Sequence, residues 1–266
     1  MKHSVKVTFI LIALFLLSQV IGLIIVNIYM DVDELPLNIE RPDLEPQTSL
    51  ITIVLAILIA TAIAILLLKF ELFRLWKLWF FISMFLTMTI SFSAFGPEII
   101  AIPLALGLAI WKVFKPNLYV HNFTEPFVYG AIAAIFVPML TITTISIMLL
   151  IISLYDYIAV RKTKHMVALA KSQSKAKVFA GLVIPYKKSV AILGGGDMGF
   201  PLIFAGVAMM QLNLGILDWK TYIIPFFAML MLLALFLKGD KKKFYPAMPY
   251  ISLGCFLGLG ILLLVI

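Results

Sequence analysis

The chain is a near-continuous series of apolar stretches, and this hydropathy pattern restricts its fold more than any other feature. Of its 266 residues, 63% are hydrophobic and 13% charged. A helix crosses a bilayer with roughly 20 mostly apolar residues, and hydrocarbon offers no water to an open backbone. The sequence therefore predicts an all-α polytopic membrane protein. Gly, Pro and charge clusters divide it into nine helices, at about 7–30, 50–68, 75–95, 98–114, 126–137, 139–160, 195–214, 221–238 and 246–266. The fifth is too short to span comfortably unless it tilts or starts earlier. No separate soluble stretch remains, so 1–266 reads as a single transmembrane domain. Lys2, His3 and Lys6 precede the first run as in a signal peptide. That run is longer than an h-region and lacks a small-x-small cleavage site, so it reads as a retained helix.

The net charge of +8 follows membrane topology, since no basic stripe interleaves with aromatics as a nucleic-acid partner would require. With nine helices, the N-terminus and every second loop share one side, which holds 19 of the 21 Lys and Arg. Only Arg41 and Lys220 fall on the other. Positive charge marks the cytoplasmic side, so the N-terminus is expected inside and the C-terminus outside. The outer loop 31–49 carries six acids against one base and reads as a hydrophilic connector. The loop 161–188 is the most charged segment and has no acid.

Two aspartates interrupt the apolar pattern. Asp156 lies in Leu154-Tyr155-Asp156-Tyr157-Ile158, and Asp197 follows Gly194-Gly195-Gly196. A carboxylate mid-helix in lipid costs about 2.5–3.5 kcal/mol on insertion scales, so two of them ask for a function. The predicted topology sets both near the cytoplasmic ends of helices 6 and 7, roughly 5–8 Å below the inner surface by helical rise. Two carboxylates in such a site share one proton. The ionised member takes a proton from water while the protonated member polarises a scissile carbonyl, which is general base and general acid chemistry. The residues leave open which aspartate plays which part. A proton-coupled transporter or ion channel uses the same intramembrane acids, although no internal repeat of the transporter kind is evident.

Other chemistries lack their residues. Cys255 is the one cysteine, which excludes an internal disulfide and a cysteine metal cluster. His3, His121 and His165 form no HExxH, and there is no Gly-x-Ser-x-Gly, so no metal or organic cofactor is expected. Gly254 and Gly258 are spaced for close helix packing within the chain. Asn122-Phe123-Thr124 fits a glycosylation pattern but falls on the cytoplasmic side.

Tyr155-Asp156 in one helix, Gly194-x-Gly196-Asp197 opening the next, and Pro246-Ala247-Met248-Pro249 opening the last resemble the presenilin and signal-peptide-peptidase family. These are GxGD intramembrane aspartyl proteases, and the chain is especially similar to the compact archaeal members. The resemblance implies that Asp156 and Asp197 are the catalytic pair. Pro246 and Ala247 match the family's Pro-Ala-Leu motif beside the active site, with Met248 in place of leucine. Tyr155, Leu193, Gly194 and Gly196 are expected to meet substrate. The resemblance also implies transmembrane protein substrates, cut near their cytoplasmic ends. It implies lipid surroundings in a prokaryotic, archaeal-type membrane, no nucleic acid, and no obligate partner subunit. The long insertion at which presenilins cut themselves is not evident, so the chain is expected to stay intact.

Between helices 6 and 7, residues 177–185 and 189–193 read as two short strands turning at Pro185-Tyr186-Lys187-Lys188. Such a hairpin offers an edge directly before the Gly-Asp motif, where an unwound substrate can add as a strand. Proline at Ala191 or Leu193 is expected to impair cleavage while leaving the fold intact.

Overall fold

The computed structural model describes residues 4–41, 46–161, 179–186, 189–239 and 245–266. Lys2, His3, Asp43, Glu45, His165, most of the basic loop, the hairpin turn residues Lys187 and Lys188, and the Lys241-Lys242-Lys243 run lie outside these.

Among the described residues the chain forms nine α-helices: α1 (Val5–Tyr29), α2 (Pro46–Lys69), α3 (Phe73–Ser93), α4 (Glu98–Phe114), α5 (Leu118–Phe136), α6 (Ile142–Arg161), α7 (Gly195–Gln211), α8 (Ile223–Lys238) and α9 (Met248–Val265). Two antiparallel hairpins accompany them, β1 (Glu34–Leu35) with β2 (Ile39–Glu40) and β3 (Gly181–Tyr186) with β4 (Ser189–Gly194). Among the described residues, five segments are long and apolar enough to cross a membrane: α1, α3, most of α6, α8 with its preceding turn, and α9. The protein is membrane-embedded and multi-pass.

Helix α1 is the inner axis, with Leu11, Phe15 and Leu23 fully buried against α5, α7 and α8. The main core joins α1 to α5 and to α6–α9, while α3 and α4 build a second core with α5 around Met88, Ala105 and Ala109. Helices α8 and α9 touch backbone to backbone. A Cβ added at Gly254 would lie 2.7 Å from the Ala228 Cα, and one at Gly258 would lie 2.8 Å from the Ile224 Cα. These two glycines serve packing within the chain, as expected.

Two local expectations need correction. Helix α5 begins at Leu118 rather than near residue 126. Asn117 caps it, its side-chain oxygen accepting from the Tyr119 and Val120 N–H groups. The polar run through His121, Asn122, Thr124 and Glu125 looks like a loop in sequence, yet it is helical because distant partners satisfy it. The helix continues through Pro126, and a 3₁₀ turn at Val137–Met139 delays the start of α6 to Ile142. The acidic connector is also partly folded. Its β1–β2 hairpin buries Leu35, and the Arg41 guanidinium donates to the Tyr29 and Val32 carbonyls at the end of α1. The Leu37 N–H donates to Glu98 at the start of α4.

Candidate active site

Helix α6 packs against α7 and α9, and Ser153 meets Ser252 at 2.7 Å between their hydroxyls, one turn from Asp156. Asp156 is 7% exposed. Its Oδ2 accepts from the Met248 N–H at 3.1 Å, and the Ala247 N–H also lies beside the carboxylate. Met248 is the first residue of α9, so Asp156 occupies the anion position of that helix. There, N–H groups without intrahelical acceptors and the helix dipole favour negative charge. This gives the Pro-Ala-Met motif a physical role. Pro249 sits in the first turn of α9, where its missing donor has no intrahelical use. Pro246 and Met248 are buried and Ala247 is half-buried.

Asp197 is the third residue of α7 and half-buried. Its Oδ2 accepts from the Gly194 N–H at 3.2 Å, the reach of an N3 acid back to the cap position. Both aspartates therefore stand at helix N-termini, Asp197 on its own helix and Asp156 at that of α9. The structure joins Asp156 with Ala247 and Met248. It joins Asp197 with Gly194 and, through β4, with the buried Leu193. Tyr155 is half-exposed beside the buried Asp156. Gly196 is exposed, and with Gly195, Gly199 and Phe200 it walls an apolar cavity of about 350 Å³ bounded on α5 and α6 by Tyr129, Ile132 and Met148.

Sequence reasoning missed a set of buried polar side chains that hold this region. Gln19 of α1, fully buried, donates to the Met198 carbonyl at 3.0 Å and ties down the first turn of α7. Lys112, counted from sequence among the basic residues of the cytoplasmic side, is 4% exposed and paired with Glu125 at 2.5 Å. Glu125 also accepts from the Tyr129 hydroxyl and from the Gly181 N–H, the latter at 2.8 Å. Asn122 exchanges two hydrogen bonds with the backbone of Val183, and the His121 ring meets the Gly181 carbonyl at 2.6 Å. A lysine and an acid flanking one short loop were the available signal.

These bonds also assign the hairpin's edges. Gly181 and Val183 turn their backbone groups to α5, so Leu182 and Ile184 bond inward to Leu193 and Ala191 of β4. The partners of Gly181 and Val183, namely Gly194 and Ile192, then turn theirs away from β3. The outer edge of β3 is occupied by helix side chains. The outer edge of β4 runs through Val190 and Ile192 and ends at Gly194, whose N–H binds Asp197.

A family model described as signal-peptide peptidase, presenilin aspartyl protease matches residues 12–197. The chain belongs to this family. The match contains both aspartates, and the Pro246-Ala247-Met248 motif lies beyond it. Two crystal structures of a presenilin family intramembrane aspartate protease, in C222 and P2 space groups, share the fold, each with a TM-score of 0.69 and 19% identity. The first aligns over 97% of this chain and 99% of its own, the second over 96% and 97%. No curated protein matches the sequence.

Proposed function

We propose that the protein is an intramembrane aspartyl protease in which Asp156 and Asp197 together activate water against a peptide bond of a transmembrane substrate. The observation that carries this reading is the pair of carboxylates at helix N-termini, one on α6 and one on α7, two helices that pack against each other. The pair shares one proton. Its ionised member withdraws a proton from water, and its protonated member polarises the scissile carbonyl and then protonates the leaving amine. Neither step requires a metal or organic cofactor.

The substrate enters as an unwound strand along the outer edge of β4, whose backbone direction delivers it to Asp197. The apolar cavity beside Gly196 receives its apolar side chains. Tyr155, Leu193, Gly194, Gly196, Pro246, Ala247 and Met248 surround the reacting segment in this arrangement. Nine membrane-spanning helices with the N-terminus inside the cell bring the dyad near the cytoplasmic face, so substrates are cut close to that end. The lysine and arginine distribution supports this orientation. The chain acts without an obligate partner subunit.

Purified full-length protein in liposomes with a reporter transmembrane peptide tests the reading. Hydrolysis within the membrane-spanning part of the peptide, without proton flux in peptide-free liposomes, is the expected result. Flux with an intact peptide would instead assign the aspartates to transport.

A further inference from the structure

The polar face of α5 is the feature that the dyad chemistry does not use. Glu125 is 1% exposed in a membrane-embedded bundle, where an acid without function is expensive to keep. Among the described residues it has three hydrogen-bond partners, each on a different part of the fold, and the His121 ring lies 3.8 Å from it. Lys112 comes from α4, Tyr129 lies one helical turn further along α5, and Gly181 opens the hairpin. Two of the three lead to the first turn of α7. Gly181 faces Gly194 across the hairpin, and the Ala180 carbonyl beside it accepts from the Gly195 N–H at 3.2 Å. Gly181 also has φ +130°, a conformation that needs glycine, and its carbonyl is held by His121. The Tyr129 hydroxyl rests on Gly195, since a Cβ there would lie 2.5 Å from it. Gly195 is two residues from Asp197.

We propose that Glu125, charge-paired with Lys112, is a positioning residue of the protease, fixing through Gly181 and Tyr129 both the hairpin and the glycine turn that carries Asp197. This rests on the protease reading for its kinetic consequence and on geometry alone for its structural one. Helix α5 acts as the third strand of the sheet. Asn122, His121 and Glu125 satisfy the outer edge of β3 in place of a neighbouring strand, which leaves the β4 edge as the one open to substrate. A strand held on one side by fixed side chains keeps its register, and register decides which peptide bond of a paired substrate reaches the aspartates.

The test uses the full-length protein and three variants: Glu125→Gln, Lys112→Met/Glu125→Gln and Tyr129→Phe. Glu125→Gln leaves a buried unpaired lysine and is expected to lower the melting temperature. The double variant removes both charges and is expected to recover it. A merely structural ion pair would recover activity together with stability. The positioning role predicts that kcat in the refolded double variant stays at least tenfold down with KM within threefold, and that cleavage spreads to neighbouring bonds. Hydrogen exchange of residues 181–186, read without substrate, is expected to be at least tenfold faster than in wild type, with α8 and α9 unchanged. Wild-type kcat, or wild-type exchange in the hairpin, overturns the proposal. If the double variant does not fold, Tyr129→Phe decides, with a lower kcat required and an unchanged one contradicting. A wild-type protein that cleaves nothing counts against the protease reading alone, and the exchange result still decides the positioning link.

Discussion

Replacing Ile192 by proline tests the assignment of the hairpin's edges. The Ile192 N–H faces outward from β4, so the substitution removes one donor from the open edge and none from the pairing with β3. Proline is tolerated on an edge where its nitrogen faces away from the ladder. A strand bound there loses one hydrogen bond, worth about 0.5–1.5 kcal/mol net. At about 1.4 kcal/mol per decade, kcat/KM should fall between about two- and tenfold relative to Ile192→Val, which keeps the donor. Ala191→Pro is the contrast. Its N–H bonds inward to Ile184 and the residue is fully buried, so the substitution breaks the ladder and overpacks the core. It should lower the melting temperature and speed hydrogen exchange of residues 181–186, as Leu193→Pro should. Prolines at Ala191 or Leu193, suggested by sequence alone, would therefore mix unfolding with loss of the substrate edge. The assay is cleavage of a reporter transmembrane peptide by purified variants, with exchange measured on the same samples. Unchanged kcat/KM in Ile192→Pro, or equal hairpin opening in both prolines, would refute the argument.

Other perturbations have defined outcomes. Gly195→Ala sets a methyl against the Tyr129 hydroxyl, and overpacking of this kind costs about 1–3 kcal/mol. Both melting temperature and cleavage rate should fall, and Tyr129→Phe should restore part of the stability. Gly258→Leu should separate α8 from α9 and destabilise the protein by a similar or larger amount, seen as a lower midpoint in thermal denaturation. Cys255 is fully buried and should react with a maleimide only after denaturation. On a gel, active protein should run as one chain, because no self-cleaving insertion is evident in the 161–188 loop; a two-fragment mature form would contradict this.

Much of the helical order was legible because hydropathy needs no knowledge of partners. Helix α4 falls on its expected residues, and α3, α7 and α9 differ only by short stretches at their ends. The hairpin was legible as well, from two β-rich runs, although Pro185 and Tyr186, expected in the turn, belong to β3 and pair with Val190 and Ser189. Two kinds of feature were hidden. Helix α5 looked short because Glu125 and Asn122 find their partners at Gly181 and Val183, far along the chain, and an acid or amide awaiting a distant partner looks like loop. The bond between Asp156 and Met248, 92 residues apart, was hidden for the same reason. The motif suggested that Pro246-Ala247-Met248 lies near the aspartates. Only the fold reveals that it does so by turning a helix N-terminus toward Asp156.

The central claim is that the two aspartates act as one unit, and a double-mutant cycle on peptide hydrolysis tests it most directly. Asp156→Asn, Asp197→Asn and the double variant are compared with wild type on a reporter transmembrane peptide, with folding verified for each. A shared-proton dyad predicts that each single change reduces hydrolysis to background and that the double change costs nothing more. Wild-type hydrolysis in either single variant, or losses that simply add, would contradict it.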